Sequence, residues 1–94
     1  MFVHTVFFKF QNLNDRREAK ARLLGMMDTV PSLNGIEVGM DEFGTERSWD
    51  MVLVTQFTDL AGYRDYAIDP AHQEVLKWLK QVISASATVD YSRD

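Results

Sequence analysis

The sequence contains no cysteine, only two prolines and only two histidines among its 94 residues. Without cysteine there can be no disulfides, thiolate metal sites or thiol nucleophiles, and this composition is compatible with a reducing cytoplasm. The apolar residues 1–10 are too short for a membrane span, and they lack the basic region and cleavage site of a signal peptide. We therefore expect a cytoplasmic protein without membrane association.

Basic residues are also scarce. Ten Lys and Arg face 14 Asp and Glu, which gives a net charge of −4, and the basic residues form no cluster. This pattern argues against nucleic acid as a partner. The two histidines lie far apart without ligand-like spacing, and no phosphate loop, nucleophile elbow or redox motif is present. We expect neither a metal nor a cofactor.

What the chain does contain is typical of a globular domain. Apolar residues make up 46% of the sequence and charged residues 26%, with six Phe, three Tyr and two Trp. This composition predicts a single domain over residues 1–94. A chain of this length buries a comparatively small fraction of its surface, so its core is marginal and a partner could complete it.

Four strands are predicted where apolar and polar positions alternate, at residues 2–10, 36–43, 49–57 and 84–92. The first run has apolar residues on both faces. The third is rich in β-branched and aromatic residues, which makes it the best candidate for a central strand. The second has a polar outer side.

Helices are predicted between these strands. Asn14 is expected to cap a long helix that Pro31 ends, and Thr58 to cap a short helix through Tyr66. Asp69 then caps another helix, with Pro70 at its first position. The predicted buried stripes are Ala19, Leu23, Leu24, Met27 and Val30 in the first helix, and Val75, Leu76, Leu79, Val82 and Ile83 in the last.

The order of these elements predicts a ferredoxin-like α+β fold with a four-stranded antiparallel sheet and helices on one face. The other face would expose an apolar patch too large for a comfortable monomer, so we expect a second subunit to cover it in a homodimer. The residues of this predicted interface are Phe7, Val52, Val54, Val89 and Tyr91.

Four segments resemble the stress-responsive A/B barrel domain family, which belongs to the dimeric α+β barrel group. They read HTVFFKF, VPSLNGIEVG, WDMVLVTQFTDLAGYRDYAIDPAHQEV and ATVDYS, in the family's order. The resemblance implies a homodimer whose two sheets meet to form a barrel. It leaves the function open, because some members are stress-associated proteins, many have no assigned activity, and one plant member is a cyclase that makes an aromatic acid by aldol chemistry.

The resemblance also identifies the positions of this chain that match functional residues of the family. The catalytic tyrosine and histidine of the plant cyclase fall on Tyr66 and His72, through the shared DY and PAH elements, and the first-strand histidine falls on His4. This chain has Met51 and Asp69 where the cyclase has further histidines. The resemblance thus implies a cofactor-free lyase or cyclase acting on a small carbonyl or phenolic compound. The alternative is a non-catalytic dimer that binds an apolar ligand or has only a structural role.

His72 occupies the third position of the last predicted helix, on the same stripe as Val75 and Leu76. The positive end of the helix dipole disfavours a protonated imidazole there, so His72 should be neutral and able to act as a general base. Tyr66 could then stabilise negative charge that develops on a substrate oxygen. The alternative is that His72 only hydrogen-bonds a backbone carbonyl or a strand hydroxyl and holds the start of the helix to the sheet, and that Tyr66 only packs at the edge of the core.

His4 and Asp90 would face each other if the first and last strands are neighbours, either as a polar wall of the pocket or as a pair that stabilises the fold. A small apolar pocket is expected between sheet and helices, although the same side chains could simply fill a core. Its predicted lining is Val6, Phe8, Met51, Leu53, Val75, Leu76, Leu79 and Ile83.

Overall fold

A computed structural model describes all residues of the chain, 1–94. Its strands are β1 (Phe2–Phe10), β2 (Gly35–Met40), β3 (Met51–Phe57) and β4 (Ile83–Ser92), and its helices are α1 (Arg16–Leu24), α2 (Met26–Thr29), α3 (Leu60–Ile68) and α4 (Pro70–Val82). No helix in the structure is both long enough and apolar enough to cross a membrane.

The four strands form one antiparallel sheet in the order β2-β3-β1-β4. β1 therefore lies inside the sheet and pairs with β3 on one side and with β4 on the other. The predicted ferredoxin-like α+β fold is confirmed, and β3 is an internal strand as its composition indicated.

The helices cover one face of the sheet, where the side chains of alternate strand residues are buried. Val6, Leu53 and Phe57 from the sheet join Leu23 and Leu79 from the helices in a single apolar core. Burying each such side chain contributes roughly 1.5–3 kcal/mol relative to leaving it exposed. This face also carries His4, because His4 and Val6 lie two residues apart on β1.

The opposite face is not covered by any helix. The strand register places Phe7 beside Val52, and Thr5 between Val54 and Val89, on this side. Val89 is 57% exposed and Tyr91, which pairs with Val3, is 43% exposed. The five residues of the predicted interface therefore share one face, which we call the outer face.

Two helix caps differ from the prediction. Asn12, rather than Asn14, accepts the capping bond before α1, from the Asn14 amide, in a short 3-10 turn that precedes the helix. Asp59 caps α3 by accepting from the Gly62 amide, while the hydroxyl of Thr58 accepts from the Asn34 side chain. Asn12 lies two positions before the predicted cap and Asp59 one position after it, and Asn, Asp and Thr are all residue types that cap helices.

The predicted first helix is divided at Gly25 into α1 and α2, although the Gly25 backbone angles stay helical at φ −61° and ψ −21°. Val30, which precedes Pro31, is extended and ends α2 as expected. The predicted stripe is wrong at Leu24 and Met27, which are exposed, because Met26 points into the core instead.

The remaining differences concern boundaries. β2 ends at Met40 and β3 begins at Met51, so residues 41–50 form a longer loop than predicted. α3 continues beyond Tyr66 to Ile68. Ile83 starts β4 instead of closing the last helix, since its φ of −89° and ψ of 155° are extended.

Candidate functional site

The site begins at the junction of α3 and α4. The Asp69 carboxylate accepts from the Ala71 amide at 2.8 Å, and Pro70 occupies the first position of α4. The Asp69 amide donates to the carbonyl of Tyr66 at 3.1 Å, which links the two helices. This predicted cap is confirmed, and it fixes the position of His72 relative to Tyr66.

Tyr66 and His72 are in contact across this junction. Their ring centroids lie 4.0 Å apart, with the planes inclined by 33°. Tyr66 is only 1% exposed, whereas His72 is half-buried. The Nδ1 atom of His72 lies 3.4 Å from the carbonyl oxygen of Ala67, which also accepts from the side-chain amide of Gln73. The structure thus brings together the two residues that the resemblance assigns to catalysis.

Burial shifts the pKa of both groups. It lowers the pKa of His72 below its usual value of 6.5, and the hydrogen bond to the Ala67 carbonyl offsets part of this shift; the proximity of His4, which lowers the pKa, and of Asp69, which raises it, has smaller effects. Burial is also the main cause that raises the pKa of Tyr66. Near neutral pH the imidazole is therefore unprotonated and the phenol keeps its proton.

His4 and Asp90 are paired residues on the adjacent strands β1 and β4. The Nδ1 atom of His4 contacts the Asp90 carboxylate, and the backbone carbonyl of His4 accepts from the Thr55 hydroxyl at 3.0 Å. The His4 ring is mostly enclosed, while the Asp90 side chain is 40% exposed. The predicted pair is therefore present, at the edge of the sheet where solvent reaches it.

Tyr63, which the sequence reasoning did not single out, connects the two halves of the site. Its ring centroid lies 4.9 Å from that of His4 and 6.1 Å from that of Tyr66. Burial, and secondarily the charge of Asp90, raise the pKa of Tyr63. The sequence did contain a signal for Tyr63. It lies three residues before Tyr66 on α3, and residues three apart on a helix share a face.

Neither tyrosine hydroxyl has a protein partner. The side-chain hydrogen bonds around the site join His4 to Asp90, Thr55 to His4, and His72 to Ala67, and neither hydroxyl takes part in them. The buried side-chain polar atoms that lack a partner are Arg16 Nε and Ser32 Oγ, so the Tyr66 oxygen is not one of them and reaches the surface although the rest of the side chain is buried. The Tyr66 hydroxyl is therefore available to a bound molecule.

Most of the predicted lining residues surround this cluster as a filled core. Val6, Phe8, Met51, Leu53 and Leu79 are buried together, and Val75 and Ile83 pack against them half-buried. Leu76 is placed differently. It is half-buried, does not belong to this core, and lines a surface cleft on α4 together with Gln73 and Lys80.

The expected apolar pocket is not among the four main surface clefts. These clefts have volumes of about 330 to 440 Å³, and none of the four is lined by His4, Tyr66 or His72. The reason is the packing of aromatic rings, because Phe57 lies 5.1 Å from Tyr66 and 5.7 Å from Tyr63, centroid to centroid. The structure also brings together no group of three or more His, Cys, Asp or Glu that could hold a metal.

Comparisons with known proteins place these features in context. The model of the family described as "Stress responsive A/B Barrel Domain" matches residues 2–93. A search of curated proteins finds no match.

Solved structures provide further similarity. A dimeric ferredoxin-like protein of unknown function from Jannaschia sp. is 25% identical, with 98% of each chain covered and a TM-score of 0.80. A dimeric ferredoxin-like protein of unknown function from Thermobifida fusca is 17% identical, with 98% of this chain and 90% of that chain covered and a TM-score of 0.86. The hydroxynitrile lyase of Passiflora edulis is 13% identical, with 96% and 90% covered and a TM-score of 0.84. The last two likenesses show the shared fold alone.

Proposed function

This chain belongs to the stress-responsive A/B barrel domain family, and from that premise we propose that it is a cofactor-independent lyase or cyclase. Its substrate would be a small carbonyl or phenolic compound. His72 would act as the general base, and the Tyr66 hydroxyl would bind the substrate oxygen on which negative charge develops. We further propose that residues 1–94 act as a single domain.

The observation that carries this proposal is the contact between an unprotonated imidazole and an unpaired phenol. If Nδ1 of His72 carries the hydrogen that faces the Ala67 carbonyl, Nε2 is the atom that accepts a proton. The lowered pKa of His72 keeps this atom unprotonated near neutral pH. The raised pKa of Tyr66 keeps its proton available for donation. A positioned base contributes about 10²–10⁴-fold to a rate, and an oxyanion donor about 10²–10³-fold.

The remaining polar residues have supporting roles in this proposal. The Asp90 carboxylate fixes the His4 ring through Nδ1, and His4 and Tyr63 form a polar wall next to Tyr66. A substrate would enter beside the exposed Asp90, where β4 is not covered by the helices. Because the space next to His72 is filled in the single subunit, entry requires Tyr63 or His72 to move aside.

The filled space also favours a second candidate function, a non-catalytic dimer. None of the four main clefts reaches Tyr66 or His72, and a structural core would look the same. In that case the stacked rings would serve only to join α3 and α4 to the sheet.

An activity assay separates the two functions. We suggest cleavage of mandelonitrile to benzaldehyde and hydrogen cyanide, a reaction of the class named for the Passiflora neighbour, together with retro-aldol substrates. The enzyme function predicts turnover that His72→Gln reduces at least about 100-fold and Tyr66→Phe by a similar factor. Tyr91→Phe is the matched control, since Tyr91 lies on the outer face and should leave the rate unchanged. Turnover that persists in His72→Gln would contradict the assigned roles.

We also propose a homodimer through the outer face. Phe7, Val52, Val54, Val89 and Tyr91 supply its apolar surface, and the neighbours from Thermobifida fusca and Jannaschia sp. are themselves dimeric. A cytoplasmic location stays a prediction from the sequence.

Sedimentation equilibrium tests the dimer. Val89→Asp places a charge on a residue that is 57% exposed in the subunit, so the subunit should still fold while the dimer dissociates. Gln81→Asp, at an exposed position of α4, should leave the mass unchanged. A dimeric Val89→Asp would contradict the proposed interface.

A further inference from the structure

Asn34 and Gly35 form an Asn-Gly pair where residues 31–34 lead from α2 into β2. Asn34 is exposed, and it is the one asparagine of the chain that a glycine follows. Asparagine is among the thermally labile residue types, because a backbone amide can attack its side chain. Glycine has no Cβ to shield its amide nitrogen, and its backbone adopts more conformations than that of other residues. The Gly35 nitrogen can therefore approach the Asn34 side chain with little hindrance.

The Asn34 side chain is restrained by one hydrogen bond. Its amide nitrogen donates to the Thr58 hydroxyl at 3.0 Å, while its backbone amide donates to the carbonyl of Gln56 at 2.9 Å. Asn34 and Thr58 are both exposed, so water competes with the hydrogen bond between their side chains and its net contribution is small. This bond slows a reaction of the side chain but does not prevent it.

The turn that carries Asn34 packs against the start of α3. A Cβ placed on Gly62 would lie 3.7 Å from the backbone oxygen of Ser32, and the Ser32 hydroxyl is buried without a hydrogen-bond partner. Asp59 caps α3 at the same place, by accepting from the Gly62 amide. A change at Asn34 therefore reaches the helix that carries Tyr66.

We propose that Asn34 deamidates spontaneously in the folded protein, through a cyclic succinimide. The Gly35 amide nitrogen bonds to the side-chain carbonyl carbon of Asn34 and loses its proton to a base in the solvent. The side-chain nitrogen takes up a proton and leaves as ammonia. Water then opens the ring at one of its two carbonyl carbons. One opening gives aspartate, and the other gives isoaspartate, in which the main chain runs through the former side chain.

Both products alter the junction between β2 and α3. Aspartate removes the amide donor to Thr58 and places a carboxylate next to the segment that carries Asp59. Isoaspartate lengthens the main chain directly before Gly35, which is the first residue of β2 and pairs with Gln56. Because β2 is an edge strand with a neighbour on one side only, its start depends on this single register. Deamidation should therefore loosen the start of β2 and its contact with α3.

Peptide mapping by mass spectrometry tests the site on the full chain, after incubation at mildly alkaline pH to speed proton loss from the attacking amide. Asn34 should convert progressively to aspartate and isoaspartate, while Asn12 and Asn14 stay intact. An isoaspartyl methyltransferase assay measures the isoaspartate separately. Thr58→Val removes the hydroxyl that restrains the side chain and should accelerate the conversion about fivefold. Asp69→Ala, which loses a helix cap elsewhere, is the matched control for a general loss of stability and should leave the rate unchanged.

Two further measurements examine the nucleophile and the consequence. Gly35→Ala should slow the conversion about fivefold or more, because alanine restricts the backbone. Its Cβ would lie 3.0 Å from Oε1 of Gln56, the far end of a flexible side chain that can turn away. Anion exchange separates the converted protein, since it carries an added carboxylate. Its Tm should be about 4–8 °C lower than that of the unconverted protein.

Four outcomes would overturn the proposal. One is an Asn34 that converts no faster than Asn12 and Asn14. Another is equal acceleration by Thr58→Val and Asp69→Ala, because the reaction would then take place in the unfolded chain. The third is an unchanged rate in Gly35→Ala, because the Gly35 amide would then not be the attacking group. The last is an unchanged Tm of the converted protein, because the junction would then not depend on Asn34.

Discussion

Replacing Tyr66 with phenylalanine should remove function without a loss of stability. Tyr66 is 1% exposed, and its hydroxyl takes part in no hydrogen bond of the site. A fully buried hydroxyl without a partner costs roughly 1–3 kcal/mol, but the Tyr66 oxygen is not among the buried unpaired atoms, Arg16 Nε and Ser32 Oγ, so only part of this cost applies. The substitution keeps the ring and its packing against Phe57 and His72. We therefore expect the free energy of unfolding to stay equal or rise by up to about 1 kcal/mol.

Urea unfolding followed by circular dichroism measures this difference directly. In a domain of this size, 1 kcal/mol corresponds to a shift in Tm of about 4–8 °C, which thermal unfolding detects. All variants must be compared at one protein concentration, because assembly raises apparent stability. Gln81→Ala, at an exposed position of α4 outside the site and the proposed dimer interface, should change stability by less than about 0.5 kcal/mol. A loss of more than about 1 kcal/mol in Tyr66→Phe would refute the reasoning, because the hydroxyl must then have a partner in the folded subunit.

Three further predictions concern the same region. Because burial lowers the pKa of His72 below 6.5, the unfolded chain takes up its proton more readily, so stability should fall as the pH decreases below about 6.5. His72→Gln should flatten this dependence in urea unfolding at different pH values, and an unchanged slope would contradict the assignment. Asp69→Ala should cost about 1 kcal/mol through loss of the cap on α4, whereas Asp69→Asn should keep most of it. Leu79→Ala should cost about 2–5 kcal/mol by opening a cavity in the core, and a smaller loss in thermal unfolding would mean that the core collapses around it.

The sequence contained enough information for the sheet, because alternation is a local rule. Once β1 and β4 are recognised as neighbours, His4 and Asp90 follow as partners on the helix-covered face. The cap at Asp69 was predictable for a similar reason, since a capping residue followed by proline is a signal contained in two positions.

The details that were not predictable depend on three-dimensional packing. Asn12 and Asn14 can both cap a helix, and only the path of the chain after β1 selects Asn12. Whether the space beside His72 is an open cavity or is filled by side chains is another example. The same apolar stripes would line a cavity or fill a core, and the choice is made by how closely Phe57 and Tyr63 approach Tyr66.

The pairing of β1 with β4 has a consequence for how the protein is made. During synthesis β1 is translated before the other strands of the sheet, and its second partner follows some 80 residues later, as the 86-residue separation of His4 and Asp90 illustrates. Contacts so distant in sequence form slowly, because a long loop must close before they can form. Until β4 emerges from the ribosome, one edge of β1 is unpaired and open to association with other chains. The polar wall of the site is therefore completed only when the last strand joins the sheet, so a nascent chain interrupted before β4 would lack it.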